Sequence, residues 1–172
     1  MIDSSTVRYA VYDTPVGNVT ILATGRKISS LMFGSFDPRY AINEENVALY
    51  DAIVQINQFC YGQRKTFDLK LRYEANEEQI AVYHYCNDIP YGETRSIEEI
   101  RKATSLSINN IINILLKTPL PLFIPTHRIV NEHGDPVAFM GQDLIEVGKK
   151  LLAIEQGVGR KVYNEGSYKE LE

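Results

Sequence analysis

The sequence predicts an α+β chain, with a small N-terminal domain built on an antiparallel sheet and a helical C-terminal domain carrying a helix-turn-helix. Three observations lead there. Between Val7 and Phe33, β-type alternation is broken twice by turn-forming clusters. From Glu44 to Tyr61, Leu49, Ile53, Ile56 and Cys60 recur at helical spacing. After Ser96, two short apolar helices are separated by a serine-rich turn. The pattern changes near Glu74, which sets expected domains of 1–74 and 75–156 followed by a polar tail, 157–172.

In order, Val7, Tyr9 and Val11 alternate with Arg8, Ala10 and Tyr12 until Asp13-Thr14-Pro15-Val16-Gly17-Asn18 turns the chain. Val19 to Ala23 makes a second strand, Gly25-Arg26-Lys27 a second turn, and Ile28 to Phe33 a third strand. Gly34 to Asn43 reads as loop. The helix from Glu44 to Tyr61 gives these strands something to lie on, with Gly62 as its C-terminal cap. Phe67, Leu69 and Leu71 alternate with charged residues, which suits a crossing strand or an extended linker.

Glu77 to Asn87 presents Val82, Tyr83 and Cys86 on one face and stops before Ile89-Pro90-Tyr91-Gly92, a turn. Ser96 and Glu99 form a capping box, so a helix starts there and runs to about Thr104. A turn over Ser105 to Ser107 opens a second helix, Ile108 to about Lys117. Pattern alone favours plain core packing of this pair over a nucleic-acid role. Pro119-Leu120-Pro121-Leu122-Phe123-Ile124-Pro125-Thr126-His127-Arg128-Ile129-Val130 reads as a short buried strand that delivers Thr126 and His127 into a pocket. Asp143, with Glu146 three residues on, caps a last helix ending at Glu155. The tail receives no secondary structure.

At 172 residues the chain can bury one substantial core or two small ones. A net charge of −4 rules out nucleic-acid binding by bulk charge, so any such contact must be local. Cys60 and Cys86 lack metal-ligand spacing, and neither metal nor cofactor is expected. No run approaches the roughly 18 apolar residues of a membrane span. A reducing cytosol is the expected compartment.

Several of these motifs occur together in one family. Tyr12-Asp13-Thr14-Pro15-Val16-Gly17, Phe59-Cys60-Tyr61-Gly62-Gln63-Arg64, Ile89 through Ser96, the helix pair, Pro119 through Val130, Gly141 and the ending Leu151-Leu152-Ala153-Ile154-Glu155 stand in the order of that family. The chain resembles the O6-alkylguanine-DNA alkyltransferases (methylated-DNA-protein-cysteine methyltransferases) over roughly residues 7 to 156. The resemblance implies a winged-helix-like C-terminal domain holding the site. It also implies a Pro-Cys-His-Arg-Val motif whose cysteine takes an alkyl group from guanine O6 once and irreversibly.

Here that motif is Pro125-Thr126-His127-Arg128-Ile129, with threonine at the acceptor position. Displacement at a saturated carbon needs a soft anionic nucleophile, and a thiol with a pKa of about 8.5 supplies one when a histidine lowers it. A threonine hydroxyl is hard, β-branched and protonated at neutral pH. Hydroxyl nucleophiles serve in acyl transfer, where a polarised carbonyl and an oxyanion hole carry much of the barrier. A methyl ether offers neither.

His127 and Glu155 stand where the resemblance places the relay that generates the thiolate. The alternative reading makes both structural, His127 as a satisfied buried histidine and Glu155 as a helix ending. By the same resemblance, Pro125, Phe139, Met140 and Gly141 wall the substrate pocket, and Ile97, Asn109, Asn110 and Arg128 face DNA. Ile97 stands where the family has a tyrosine that rotates the damaged nucleotide outward, and Asn109 where it has an arginine finger. Between Glu93 and Lys117, four cations oppose three anions, a local net charge of +1.

Three functions follow as expectations. The first is a DNA-repair-family pseudoenzyme, monomeric, that binds duplex DNA carrying O6-alkylguanine and hands the lesion to a repair protein. The second is a scaffold or ligand-binding protein that has lost DNA binding. The third keeps alkyl transfer, with Cys86 or Cys60 as acceptor.

Overall fold

Alternation in the first third becomes one face of a sheet. In the computed structural model, which describes residues 5–139, 145–157, 160–164 and 167–171, β1 (Val7–Thr14), β2 (Gly17–Thr24) and β3 (Lys27–Phe33) form an antiparallel meander. At the first turn the Thr14 hydroxyl accepts from the Val16 N–H at 3.2 Å and donates to the Gly17 carbonyl at 2.7 Å. Gly17 itself sits at φ 104°, a conformation that L side chains rarely adopt. Between β2 and β3 the register shifts at Leu22/Ala23, where Ser29 is the extra residue of a bulge. That bulge brings Ile28 onto the buried face with Leu31 and Phe33 although their spacing alone would not.

The expected loop from Gly34 to Asn43 contains a short strand, β4 (Ile42–Asn43), which pairs parallel to β1 through Arg8 and Tyr9. The sheet order is therefore β3-β2-β1-β4. Two residues offer no alternation to read, which is why the strand escaped the pattern. The helix α1 (Val47–Cys60) begins later than spacing suggests because Asn46 caps it, accepting from the Leu49 N–H at 2.9 Å. Leu49, Ala52, Ile56 and Phe59 are fully buried on the face it turns inward. Beyond it the chain returns extended along β3, where Ile28 bonds Lys70 and Arg72 at 2.8 Å each.

The C-terminal half opens with α2 (Glu77–Asn87), whose Asn76 and Gln79 form a reciprocal capping box and whose Val82, Tyr83 and Cys86 are buried. Next come β5 (Arg95–Ser96) and α3 (Ile97–Thr104), with the Ser96/Glu99 box in place. Ser105 at φ 59° ends α3, and Ser107 caps α4 (Ile108–Leu116), completing the helix-turn-helix. The last helix is α5 (Ile145–Glu155). The expected cap Asp143 lies outside the described residues.

A further expectation is corrected. Pro119 to Val130 is not a strand: Ile124 bonds back to the Leu120 carbonyl at 2.9 Å and Leu122 takes φ 75°. Thr126–Arg128 then form a single 3-10 turn, and only β6 (Ile129–Val130) pairs, parallel to β5. Three prolines in seven residues remove the donors that a ladder requires. The tail, given no structure above, pairs its backbone as a hairpin of β7 (Arg160–Asn164) and β8 (Ser167–Leu171).

Both halves share one core. Phe33 packs on Phe139 at 5.4 Å between ring centroids, Phe67 on Phe123 at 5.0 Å and Phe59 on Tyr91 at 6.1 Å. The Leu31 N–H also bonds the Pro119 carbonyl at 2.9 Å. Replacing Phe33 by alanine should therefore cost about 3–5 kcal/mol and lower one cooperative urea transition followed by circular dichroism. Two separated transitions in the wild type would contradict the shared core.

Candidate functional site

The 3-10 turn and the end of α5 meet inside the protein. Thr126 and His127 are completely buried, and Arg128 and Glu155 nearly so. Glu155 receives donors from three residues on two segments. His127 Nε2 hydrogen-bonds Oε2 in a short contact. Arg128 grips both oxygens, Nε to Oε1 at 2.8 Å and Nη2 to Oε2 at 3.2 Å, while its Nη1 donates to the Ile89 carbonyl at 2.7 Å. The Gly92 N–H donates to Oε1 at 3.0 Å. Gly92 lies at φ 82°, which L side chains rarely adopt, so the backbone conformation calls for glycine, although a Cβ there would meet the Glu155 carbonyl oxygen only at an ordinary 3.5 Å.

These contacts assign the protonation states. Burial lowers the His127 pKa below the histidine range and outweighs the pull of Glu155, so the imidazole is neutral. Burial alone would raise Glu155, but hydrogen bonds and charge from His127 and Arg128 overcome it and hold the carboxyl below the usual range. A neutral ring that donates through Nε2 leaves Nδ1 as a bare lone pair. Both Nδ1 and the Thr126 hydroxyl are buried without a hydrogen-bond partner among the described residues. The site thus has an oriented imidazole, a buried hydroxyl that is not hydrogen-bonded to it, and no thiol.

Neither cysteine replaces that thiol. Cys86 is buried in α2 and desolvation pushes its pKa up to about 12, against a smaller opposing effect of Arg128. Desolvation likewise raises half-buried Cys60 to about 11. Neither populates a thiolate at neutral pH.

The other expected residues are distributed as follows. Pro125 is buried at the start of the turn, and Phe139 is fully buried with its ring 6.4 Å from that of His127 and edge-on. Met140 and Gly141 lie outside the described residues. Ile97 begins α3 half-buried against the core. Asn109 and Asn110 are exposed on α4, and Asn110 donates to Glu78 at 3.0 Å. Arg128 is corrected: its guanidinium is spent on Glu155 and Ile89 inside the protein and is not presented to a phosphate. Of the surface cations near the helix pair, Arg95 is paired with Glu93 and Arg101 with Glu98. Sequence reasoning missed Gly92 and the Ile89 carbonyl as parts of the site, although it located the turn they bracket. Among the described residues no three His, Cys, Asp or Glu side chains could hold a metal ion, and no helix is long and apolar enough to cross a membrane.

Comparison with known proteins covers most of the chain. Residues 7–73 match the ribonuclease-like domain of 6-O-methylguanine DNA methyltransferase, and residues 77–157 match its DNA binding domain. A methylated-DNA-protein-cysteine methyltransferase of Metallosphaera sedula is 27% identical over 150 residues, spanning 87% of this chain and 93% of the relative. The constitutive enzyme of that name from Bacillus subtilis is 27% identical over 157 residues, spanning 86% and 94%. Among solved structures, an OGT of Mycobacterium tuberculosis in complex with DNA superposes with a TM-score of 0.75 at 25% identity, covering 87% of this chain and 92% of that one.

The burial of a neutral histidine and an ionised glutamate has a thermodynamic sign. On acidification the unfolded chain takes up protons that the folded site refuses, so stability falls. The loss begins below about pH 6.5 from His127 and continues below about pH 4.3 from Glu155. Urea midpoints measured against pH should show this decline, with the upper part removed in His127→Asn. Arg128→Ala, which strands a buried carboxylate, should cost about 3–5 kcal/mol. Stability that rose on acidification through the histidine range would contradict the assignment.

Proposed function

The chain belongs to the 6-O-methylguanine DNA methyltransferase family, a DNA-repair family with a DNA-binding domain, and from that premise we propose that it recognises O6-alkylated guanine in duplex DNA without accepting the alkyl group. One observation carries this reading. Thr126 occupies the acceptor position, fully buried, while the His127–Glu155–Arg128 network around it is intact.

The chemistry follows from the nucleophile. A methyl group on guanine O6 is transferred by displacement at a saturated carbon, with no carbonyl to polarise and no oxyanion to stabilise. A neutral imidazole cannot hold a threonine alkoxide, whose conjugate acid is far weaker than a thiol. Lesion recognition, by contrast, needs an apolar pocket and a duplex-facing helix, and neither requires sulfur. Buried Pro125 and Phe139 beside the turn support the pocket, and the DNA-bound Mycobacterium tuberculosis relative supports a duplex as ligand. In this reading the protein acts as a monomer and passes the lesion to a repair protein.

The second reading, a scaffold or ligand-binding protein without DNA affinity, is favoured by the helix pair itself. Ile97 and Asn109 replace the tyrosine and arginine expected there, and Asn110 is tied to Glu78. Fluorescence polarisation with otherwise identical duplexes separates the two. Preferential binding of the O6-methylguanine duplex supports the first reading; equal or absent binding at moderate salt selects the second.

Thr126→Cys tests the role of the missing sulfur. The variant should gain one methyl group on residue 126 after incubation with the lesion duplex, detected by intact mass and peptide mapping, while the wild type gains none. Methyl transfer to wild-type Thr126, Cys60 or Cys86 would overturn the proposal.

A further inference from the structure

The N-terminal half holds a cavity of about 650 Å³, none of whose lining residues belongs to the site around Glu155. It is a groove between the first turns of α1 and the extended stretch 68–70, with buried Ile28 at its floor. Two side-chain amides hold its walls. Asn46 Nδ2 donates to the Gly25 carbonyl at 3.0 Å, tying the start of α1 to the turn before β3. Further along the helix, Gln55 Nε2 donates to the Asp68 carbonyl at 3.0 Å and its Oε1 accepts from the Asp68 N–H at 2.9 Å. With a rise of 1.5 Å per residue, the two ties stand about 13 Å apart along α1.

Charge is sorted by sign along this groove. Arg26 and Lys70 both flank Ile28, Arg26 from the turn before it and Lys70 through the 2.8 Å bond from the Ile28 N–H to the Lys70 carbonyl. Asp51 and Asp68 line the groove toward the Gln55 tie, of which Asp68 is a part. All four residues are exposed, and among the described residues none forms an ion pair, whereas Arg95, Arg101 and Lys149 are each paired with a nearby glutamate. Between the two poles lies Leu69, whose backbone N–H and C=O form no hydrogen bond among the described residues. Lys70 and Arg72 turn their bonding groups toward β3, so the alternation of an extended chain leaves those of Leu69 on an open edge.

We propose that this groove binds a short free peptide of about three residues with apolar side chains, its carboxylate at Arg26 and Lys70 and its α-ammonium at Asp51 and Asp68. Three extended residues span about 10 Å, which fits between the two ties. The opposed poles fix the direction of the peptide, and Ile28 and Ala48 offer apolar surface to its side chains. The open N–H and C=O of Leu69 pair with its backbone, as an added strand pairs with a sheet edge. A ligand charged at one end leaves one pole unanswered, and an uncharged one leaves both.

The test uses the full chain, isotope-labelled for amide NMR, and the tripeptide Leu-Ala-Leu at neutral pH and low salt. Amide shifts should change around residues 26–28, 46–51 and 68–70. N-acetyl-Leu-Ala-Leu lacks the ammonium and Leu-Ala-Leu amide lacks the carboxylate; each should bind about fivefold more weakly, as the loss of exposed ion pairs implies. Arg26→Gln combined with Lys70→Gln should erase the difference between the free acid and the amide. Asp51→Asn combined with Asp68→Asn should erase that between the free and acetylated amines. The wild-type shift map and the three affinities decide the question even if a variant fails to fold. Equal affinity for the three peptides, shifts centred elsewhere, or no shifts at millimolar peptide would overturn the proposal. No DNA is present, so the outcome is independent of lesion recognition.

Discussion

One buried carboxylate organises the centre of this protein. An ionised glutamate out of water is costly unless it is paired and hydrogen-bonded, and Glu155 meets that demand with His127, both arms of Arg128 and the Gly92 N–H. These donors come from the 3-10 turn and from the loop after α2, so pairing the charge fixes both segments against the end of α5. Arg128 extends the constraint by holding the Ile89 carbonyl. The geometry of the site is thus also a condition of folding.

That coupling separates what the site needs for stability from what it needs for chemistry. His127, Arg128 and Glu155 belong to the network, and losing any one leaves a buried charge or donor exposed to the penalty of desolvation. Thr126 belongs to none of it, since its hydroxyl has no partner among the described residues. Position 126 can therefore hold oxygen in place of sulfur without disturbing the carboxylate. Retention of the histidine and glutamate is accordingly not evidence of alkyl transfer. The two cysteines elsewhere are both raised by desolvation.

Much of the scaffold was legible because local rules and tertiary structure agree. The Ser96/Glu99 box starts α3, and Val82, Tyr83 and Cys86 turn inward on α2, as their spacing implies. Short or irregular pieces were not legible: β4 has two residues, and the bulge at Ser29 breaks the alternation of β3. The apolar content of the turn before Thr126 suggests a buried strand; the burial is correct, but its prolines forbid the ladder. The motif position of Arg128 points toward DNA. Its real partner lies 27 residues away, and no periodicity links them. The adjoining Gly92 donor acts over a separation of 63 residues and is equally invisible to local pattern.

The central claim is that this network holds a neutral imidazole, protonated at Nε2 and bare at Nδ1, next to an oxygen instead of a sulfur. Long-range proton–nitrogen correlation NMR of the His127 ring at neutral pH tests it directly. A single Nε2–H tautomer is expected, with Nδ1 resonating as an unprotonated ring nitrogen. An imidazolium, or a ring protonated at Nδ1, would contradict it.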